Sequence, residues 1–141
     1  MRKFISSLLA TLAVAGFLAC NSVALAAEAP TSDIVQKVLR EAWEKPATKF
    51  APKCTLVLNS VKFGKPYKAT AQEVQVEGLP DGANVTPAII DFTLRTFYNS
   101  ETQVLRRVRE ATVYRDKFEE WAVMTGSARG EDQRTTEPVE K

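Results

Sequence analysis

Residues 88–98, AIIDFTLRTFY, alternate between two kinds of side chain. Ile90, Phe92, Leu94 and Tyr98 fall on one face, and Asp91, Thr93 and Arg95 on the other. A period of two is the pattern of a half-buried β-strand. Asn99 and Ser100 mark a hairpin tip, and residues 102–115 read as a long second strand. Asp116 and Lys117 make a second tip, after which residues 118–125 return as the last strand. Upstream, CTLVLNSVKF (residues 54–63) is rich in strand formers and ends at Gly64, Lys65 and Pro66. Residues 71–77 read as a further strand with Val74 and Val76 on one face, before the turn signal Leu79-Pro80-Asp81-Gly82.

The pattern before these strands is different. Ile34, Val35, Val38, Leu39, Ala42 and Trp43 recur at helical spacing, which predicts a helix over residues 33–45 with one apolar stripe. Asp33 and Gln36 stand at capping-box spacing, and Pro46 stops the helix. Trp43 belongs to the stripe, so Trp43 and Phe92 are expected in one core. From Gly126 the chain is polar, and residues 126–141 read as a disordered tail. The expected fold class is α+β: one N-terminal helix packed on a bent antiparallel sheet of four or five strands.

The first 26 residues have another purpose. Arg2 and Lys3 precede a mostly apolar run from Phe4 to Cys20, and Ala24-Leu25-Ala26 offers a small-x-small exit. This is the order of a cleavable secretory signal, with cleavage between Ala26 and Ala27. The domain division is then 1–26 signal peptide, 27–32 leader, 33–125 α+β domain and 126–141 tail. The protein is expected to be exported, periplasmic or secreted. Phe17-Leu18-Ala19-Cys20 offers a second route, in which Cys20 is lipidated and the protein becomes a lipoprotein. Membrane contact is expected only on that route.

Removing 26 of the 141 residues leaves 115, enough to bury a core without disulfide staples. The loss of Arg2 and Lys3 leaves 17 basic against 17 acidic residues. A neutral domain is a poor nucleic-acid binder, so no nucleic-acid partner is expected. Cys54 is then the sole cysteine, expected to be buried, and there is no His. The usual general base, the commonest metal ligand and the ordinary pH sensor are therefore missing. No catalytic residue, cofactor or metal is assigned. Glu119 and Glu120 beside a tip read as a solvated turn rather than a pair of catalytic acids.

A three-residue loop at 99–101 would place Phe92 opposite Val108, Asp91 opposite Arg109 and Ile89 opposite Ala111. Closing the second hairpin with Tyr114 opposite Phe118 would set Trp121 beside Ala111 and Val123 beside Arg109. A two-residue loop instead puts Arg107 and Arg109 opposite Phe92 and Ile90, inside the core, where unpaired charge is costly. The first register leaves Ile89, Ala111, Trp121 and Val123 as an apolar strip away from the helix, rimmed by Arg107, Arg109 and Asp91. Such a strip fits an unknown protein partner or a homodimer, with Trp and Arg as anchors, unless the leader or the tail folds over it.

One helix followed by an antiparallel meander resembles the cystatin-like and nuclear-transport-factor-like α+β rolls. Residues 113–123, VYRDKFEEWAV, are similar to the last hairpin of many such domains, and the likeness covers about residues 33–125. The single helix favours the cystatin-like arrangement. A true cystatin would imply a Gln-x-Val-x-Gly inhibitory loop. Gln72 and Val74 match it, but Val76 stands where Gly is required. The function expected is therefore an exported, non-catalytic binding or protein-interaction domain. The alternatives are a small nuclear-transport-factor-like enzyme with a polar pocket inside the roll, and a lipid-anchored accessory protein.

Overall fold

The computed structural model describes residues 28–139; the proposed cleavage site, Ala26 and Ala27, and Cys20 lie outside them. Helix α1 runs Ser32–Trp43. Val35 and Leu39, one turn apart, are its fully buried residues. Its cap is Thr31, whose Oγ1 accepts from the Ile34 amide at 3.4 Å. That starts the helix ahead of Asp33, which supplies first-turn charge instead. At the other end Glu44 is already extended and donates its amide to Arg40 O at 2.8 Å, so the helix stops short of Lys45.

Six strands form one antiparallel sheet: β1 (Lys53–Phe63), β2 (Tyr67–Lys68), β3 (Asn84–Phe97), β4 (Glu101–Arg115), β5 (Trp121–Ala128) and β6 (Gln133–Pro138). The order is β1-β3-β4-β5, with β2 beside β3 and β6 beside β4. The fold is α+β with one main helix, and it has more strands than expected. Along β3, β2 pairs with Asn84 and Val85 while β1 pairs with Ala88–Phe97. Pro87, which has no amide proton to donate, falls in the gap between them. Its carbonyl accepts from the Gly64 amide at 2.7 Å. A Cβ on Gly64 would stand 2.9 Å from the Pro87 ring, which explains glycine at that turn.

The core lies between α1 and one face of the sheet. Val35 and Leu39 meet Leu56, Ala88, Ile90, Phe92, Leu94, Ala111 and Val113, all buried. Phe92 is fully buried as expected. Trp43 reaches the same core, its ring 6.4 Å from that of Phe92, but remains 36% exposed because α1 ends there. Among the described residues no helix is long and apolar enough to cross a membrane.

Three expectations are corrected. Residues 71–77 are helical, not a strand, and Glu73–Glu77 wind as a π-helix. Thr70 and Glu73 form a reciprocal capping box: the Glu73 carboxylate accepts from the Thr70 amide at 2.7 Å, and Thr70 Oγ1 accepts from the Glu73 amide at 3.2 Å. Gly78 ends the turn at φ 74°, and Val76 is 75% exposed. The segment 126–141 is not simply a tail. Residues up to Ala128 complete β5, and Gln133–Pro138 pair with Glu101–Arg106 of β4. β6 buries no side chain; it is held by backbone pairing, which composition does not report.

The third correction is the register. Phe92 lies opposite Arg107, Ile90 opposite Arg109 and Asp91 opposite Val108. Tyr98 donates its amide to Glu101 O at 2.9 Å, so the loop holds only Asn99 and Ser100. The second hairpin also differs. Trp121 pairs with Arg115 and Val123 with Val113, because Asp116–Glu120 form a longer tip. Asp116 Oδ1 accepts there from the Phe118 and Glu120 amides, and Glu119 turns at φ 61°.

Candidate functional site

Residues directly opposite in an antiparallel pair share a face. The observed register therefore places Arg107 and Arg109 on the helix side, with Ile90 and Phe92. Both side chains are half-buried, 24% and 17% exposed. Unpaired, they would be costly; Asp132 removes that cost. Arg107 Nε donates to Asp132 Oδ2 at 3.0 Å. Arg109 Nη2 stands 2.7 Å from Oδ1, as an ion-pair contact rather than an aligned hydrogen bond. Arg109 and, less strongly, Arg107 hold the Asp132 carboxyl below the usual range. Asp132 is positioned by the short connection between β5 and β6, where Gly130 turns at φ 91° and the Arg129 amide donates to Val108 O.

Beyond this triad the sheet outruns the helix. α1 ends at Trp43, whereas β3 continues to Phe97 and β4 begins at Glu101. The rows Leu94/Leu105/Arg134 and Thr96/Gln103/Thr136 therefore lie past the end of α1. An open groove of about 700 Å³ runs between Trp43, Ala51, Pro52, Cys54, Leu94, Leu105 and Arg107. A smaller cleft of about 240 Å³ continues from Leu94 and Leu105 towards Arg134. The floor of the larger groove is apolar, whereas the smaller cleft is also lined by Thr96, Gln103, Thr135 and Thr136. Arg134 forms no ion pair among the described residues, and Arg107 is committed to Asp132. Cys54 is only half-buried on the groove wall, contrary to expectation, with Thr96 Oγ1 3.9 Å from its sulfur.

The seven residues read from the sequence as one surface are divided between two faces. Trp121 packs against the core from the helix side, with the Arg115 guanidinium 4.2 Å from its ring centre. Arg107 and Arg109 share that side. Asp91 and Ile89 lie on the far face, where Ile89 borders a separate cleft with Phe63, Pro87 and Met124. Asp91 pairs not with Arg109 but with Arg106, Nε to Oδ1 at 3.0 Å, and also accepts from Asn59 at 2.9 Å. Arg106 is the chief reason its carboxyl sits below the usual range. The register shift between Leu58 and Ser60 leaves Asn59 outside the pairing, free to reach Asp91 and Thr93. The outer strip centred on Trp121 therefore does not exist.

Sequence reasoning missed Asp132, Leu105 and Arg134. A signal for Asp132 was present: two arginines at i and i+2 on a strand share a face, so a core-facing pair demands a nearby acid. Among the described residues no three metal-binding side chains cluster. No protein-family model, curated protein or solved structure matches this chain.

Proposed function

We propose that the chain is an exported, non-catalytic binding domain whose ligand lies in the groove past the end of α1. The observation that carries this reading is the groove past α1, where half-buried Leu105 and the edge of buried Leu94 form an apolar floor, walled by Trp43 and edged by Arg134. Largely apolar concavities of a few hundred Å³ with a few polar groups at the edge are the usual form of a small-molecule site. Asp132, which contacts the groove residue Arg107, is neutralised by two arginines, which favours binding over acid-base chemistry. An apolar body with an anionic end matches this floor and edge. A helix laid across one face of an antiparallel sheet supports the cystatin-like arrangement. Export rests on the basic start, the apolar run and Ala24-Leu25-Ala26. The described chain begins beside Arg115, with Glu28 2.8 Å away, at the end of α1 remote from the groove. Cleavage after Ala26 would leave the groove clear.

The test is a fluorescence titration of Trp121→Phe, which leaves Trp43 as the sole tryptophan. Dodecanoate should produce a saturable blue shift, dodecanol a weaker response and acetate none. Leu105→Glu should weaken dodecanoate binding by more than about tenfold, since it places charge on an apolar floor. No saturable response, or one unchanged by Leu105→Glu, would remove the groove as the site.

A further inference from the structure

The loop between α1 and β1 is built to hold an aromatic ring in water. Lys45 and Cys54 exchange both backbone hydrogen bonds, at 3.0 and 2.9 Å, and close its base. Thr48 closes its tip: its amide donates to Ala51 O at 2.9 Å, and its Oγ1 accepts from the Ala51 amide at 3.0 Å and the Phe50 amide at 3.4 Å. On this pinned turn Phe50 is 91% exposed. Lysines flank it along the chain at 45, 49 and 53. Lys49 Nζ lies 5.6 Å from the Phe50 ring, and Lys53 Nζ 5.8 Å from the ring of Phe97 on the neighbouring strand. Phe97 and Tyr98 are themselves 39% and 43% exposed.

Acidic groups at this end of the sheet are mostly committed elsewhere. Glu44 pairs with Arg40 and accepts from the Leu56 amide, and Glu137 pairs with Arg95. Glu101 accepts from the neutral Gln103 amide and keeps its charge, one carboxylate set against three lysines. Lys45, Lys49 and Lys53 form no ion pair among the described residues. The surface is therefore basic, with aromatic rings interleaved, although the processed chain is neutral.

We propose that this end of the molecule docks on an anionic phospholipid bilayer, with Phe50 inserted and Lys45, Lys49 and Lys53 at the headgroups. A single ring on a tight turn suits a medium that yields around it; a protein partner would have to supply a pocket. Lysines are point charges, suited to diffuse headgroup charge rather than to a fixed bidentate partner. Tyr and Phe at the margin suit the interface between water and acyl chains. The sequence alone assigned membrane contact only to a lipidated Cys20; this surface needs no lipid anchor.

The experiment uses the full chain with Trp43→Phe, Trp121→Phe and Phe50→Trp, so that emission reports position 50 alone whatever the N-terminal segment does. Circular dichroism establishes that each variant is folded. With vesicles of 70% phosphatidylcholine and 30% phosphatidylglycerol at low salt, emission should shift to the blue and be quenched by brominated acyl chains. Purely zwitterionic vesicles should leave it unchanged. Lys49→Glu with Lys53→Glu should weaken partitioning by about 25-fold or more, each lysine near a charged surface contributing about fivefold. Leu105→Glu should have no effect, which separates this surface from the groove. A folded variant whose position 50 stays unquenched on anionic vesicles overturns the proposal. So does equal quenching on zwitterionic vesicles, or indifference to the lysine reversals.

Discussion

Asp132 decides where two arginines can sit. Arg107 and Arg109 face the core across from Phe92 and Ile90, an arrangement that burial alone would forbid. It is permitted because one carboxylate, 25 positions beyond Arg107, contacts both guanidinium groups. That acid lies in a segment whose composition reads as a tail, so the register inferred from charge avoidance was off by one residue. The alternation of residues 88–98 was readable; the arginine pair called for an acid, but nothing in the pattern said which one, because ion pairs across distant positions leave no periodic mark. Asp132→Asn should therefore lower the urea midpoint more than Asp91→Asn, whose partner Arg106 is half-exposed. It should also open the Arg134 peptide bond to trypsin as β6 loosens. Equal midpoints and unchanged digestion would show that the triad does not hold β6. Phe92→Ala, at a fully buried ring, should cost about 3–5 kcal/mol in the same assay. A loss under about 1 kcal/mol would remove Phe92 from the core.

At the scale of elements, long patterns survived and short ones failed. α1 and strands β1, β3 and β4 carry their apolar faces in the sequence, to within four residues at their ends. Residues 71–77 did not, because Val74 and Val76 imitate the alternation of a strand. Two local signals outweigh two valines: the Thr70-x-x-Glu73 box, and the Gly78 terminus at positive φ. Gly78→Ala should cost about 1 kcal/mol, because a Cβ disfavours the left-handed region even where space is open. An unchanged midpoint would mean that the turn reorganises without loss. β6 failed for a different reason. Its side chains are all exposed, so no hydrophobic pattern exists to be read, and its place depends on the free edge of β4. The groove was equally invisible, since it arises where α1 is shorter than the strands beneath it.

For the whole molecule, the distribution of charge predicts a stability plateau bounded by acid and by alkali. The chain has no His, so no side chain has its ordinary titration near the middle of the physiological range. Four carboxyls are held below their ordinary values. For Asp132 the leading cause is Arg109; for Asp91 it is Arg106. For Glu44 it is the Leu56 amide, and for Glu73 the Thr70 amide. A carboxyl depressed in the folded state contributes stability that is complete above its unfolded value, about pH 4. That contribution is lost as pH falls through the folded value. Tyr67 behaves in the opposite sense. Its hydroxyl donates to Glu73, chiefly for which its pKa is pushed up to about 12 from an ordinary 10.0. Its contribution is complete below pH 10 and is lost as pH rises towards 12. Urea midpoints should therefore be flat from about pH 5.5 to 8, fall below about pH 4 and fall again above about pH 10. Tyr67→Phe should flatten the alkaline limb and, by removing a hydrogen bond that depresses Glu73, make the acid limb slightly shallower; Asp132→Asn should make the acid limb shallower while leaving the alkaline limb in place. A midpoint that slopes between pH 6 and 8, or an alkaline limb that persists unchanged in Tyr67→Phe, would show that other groups govern stability.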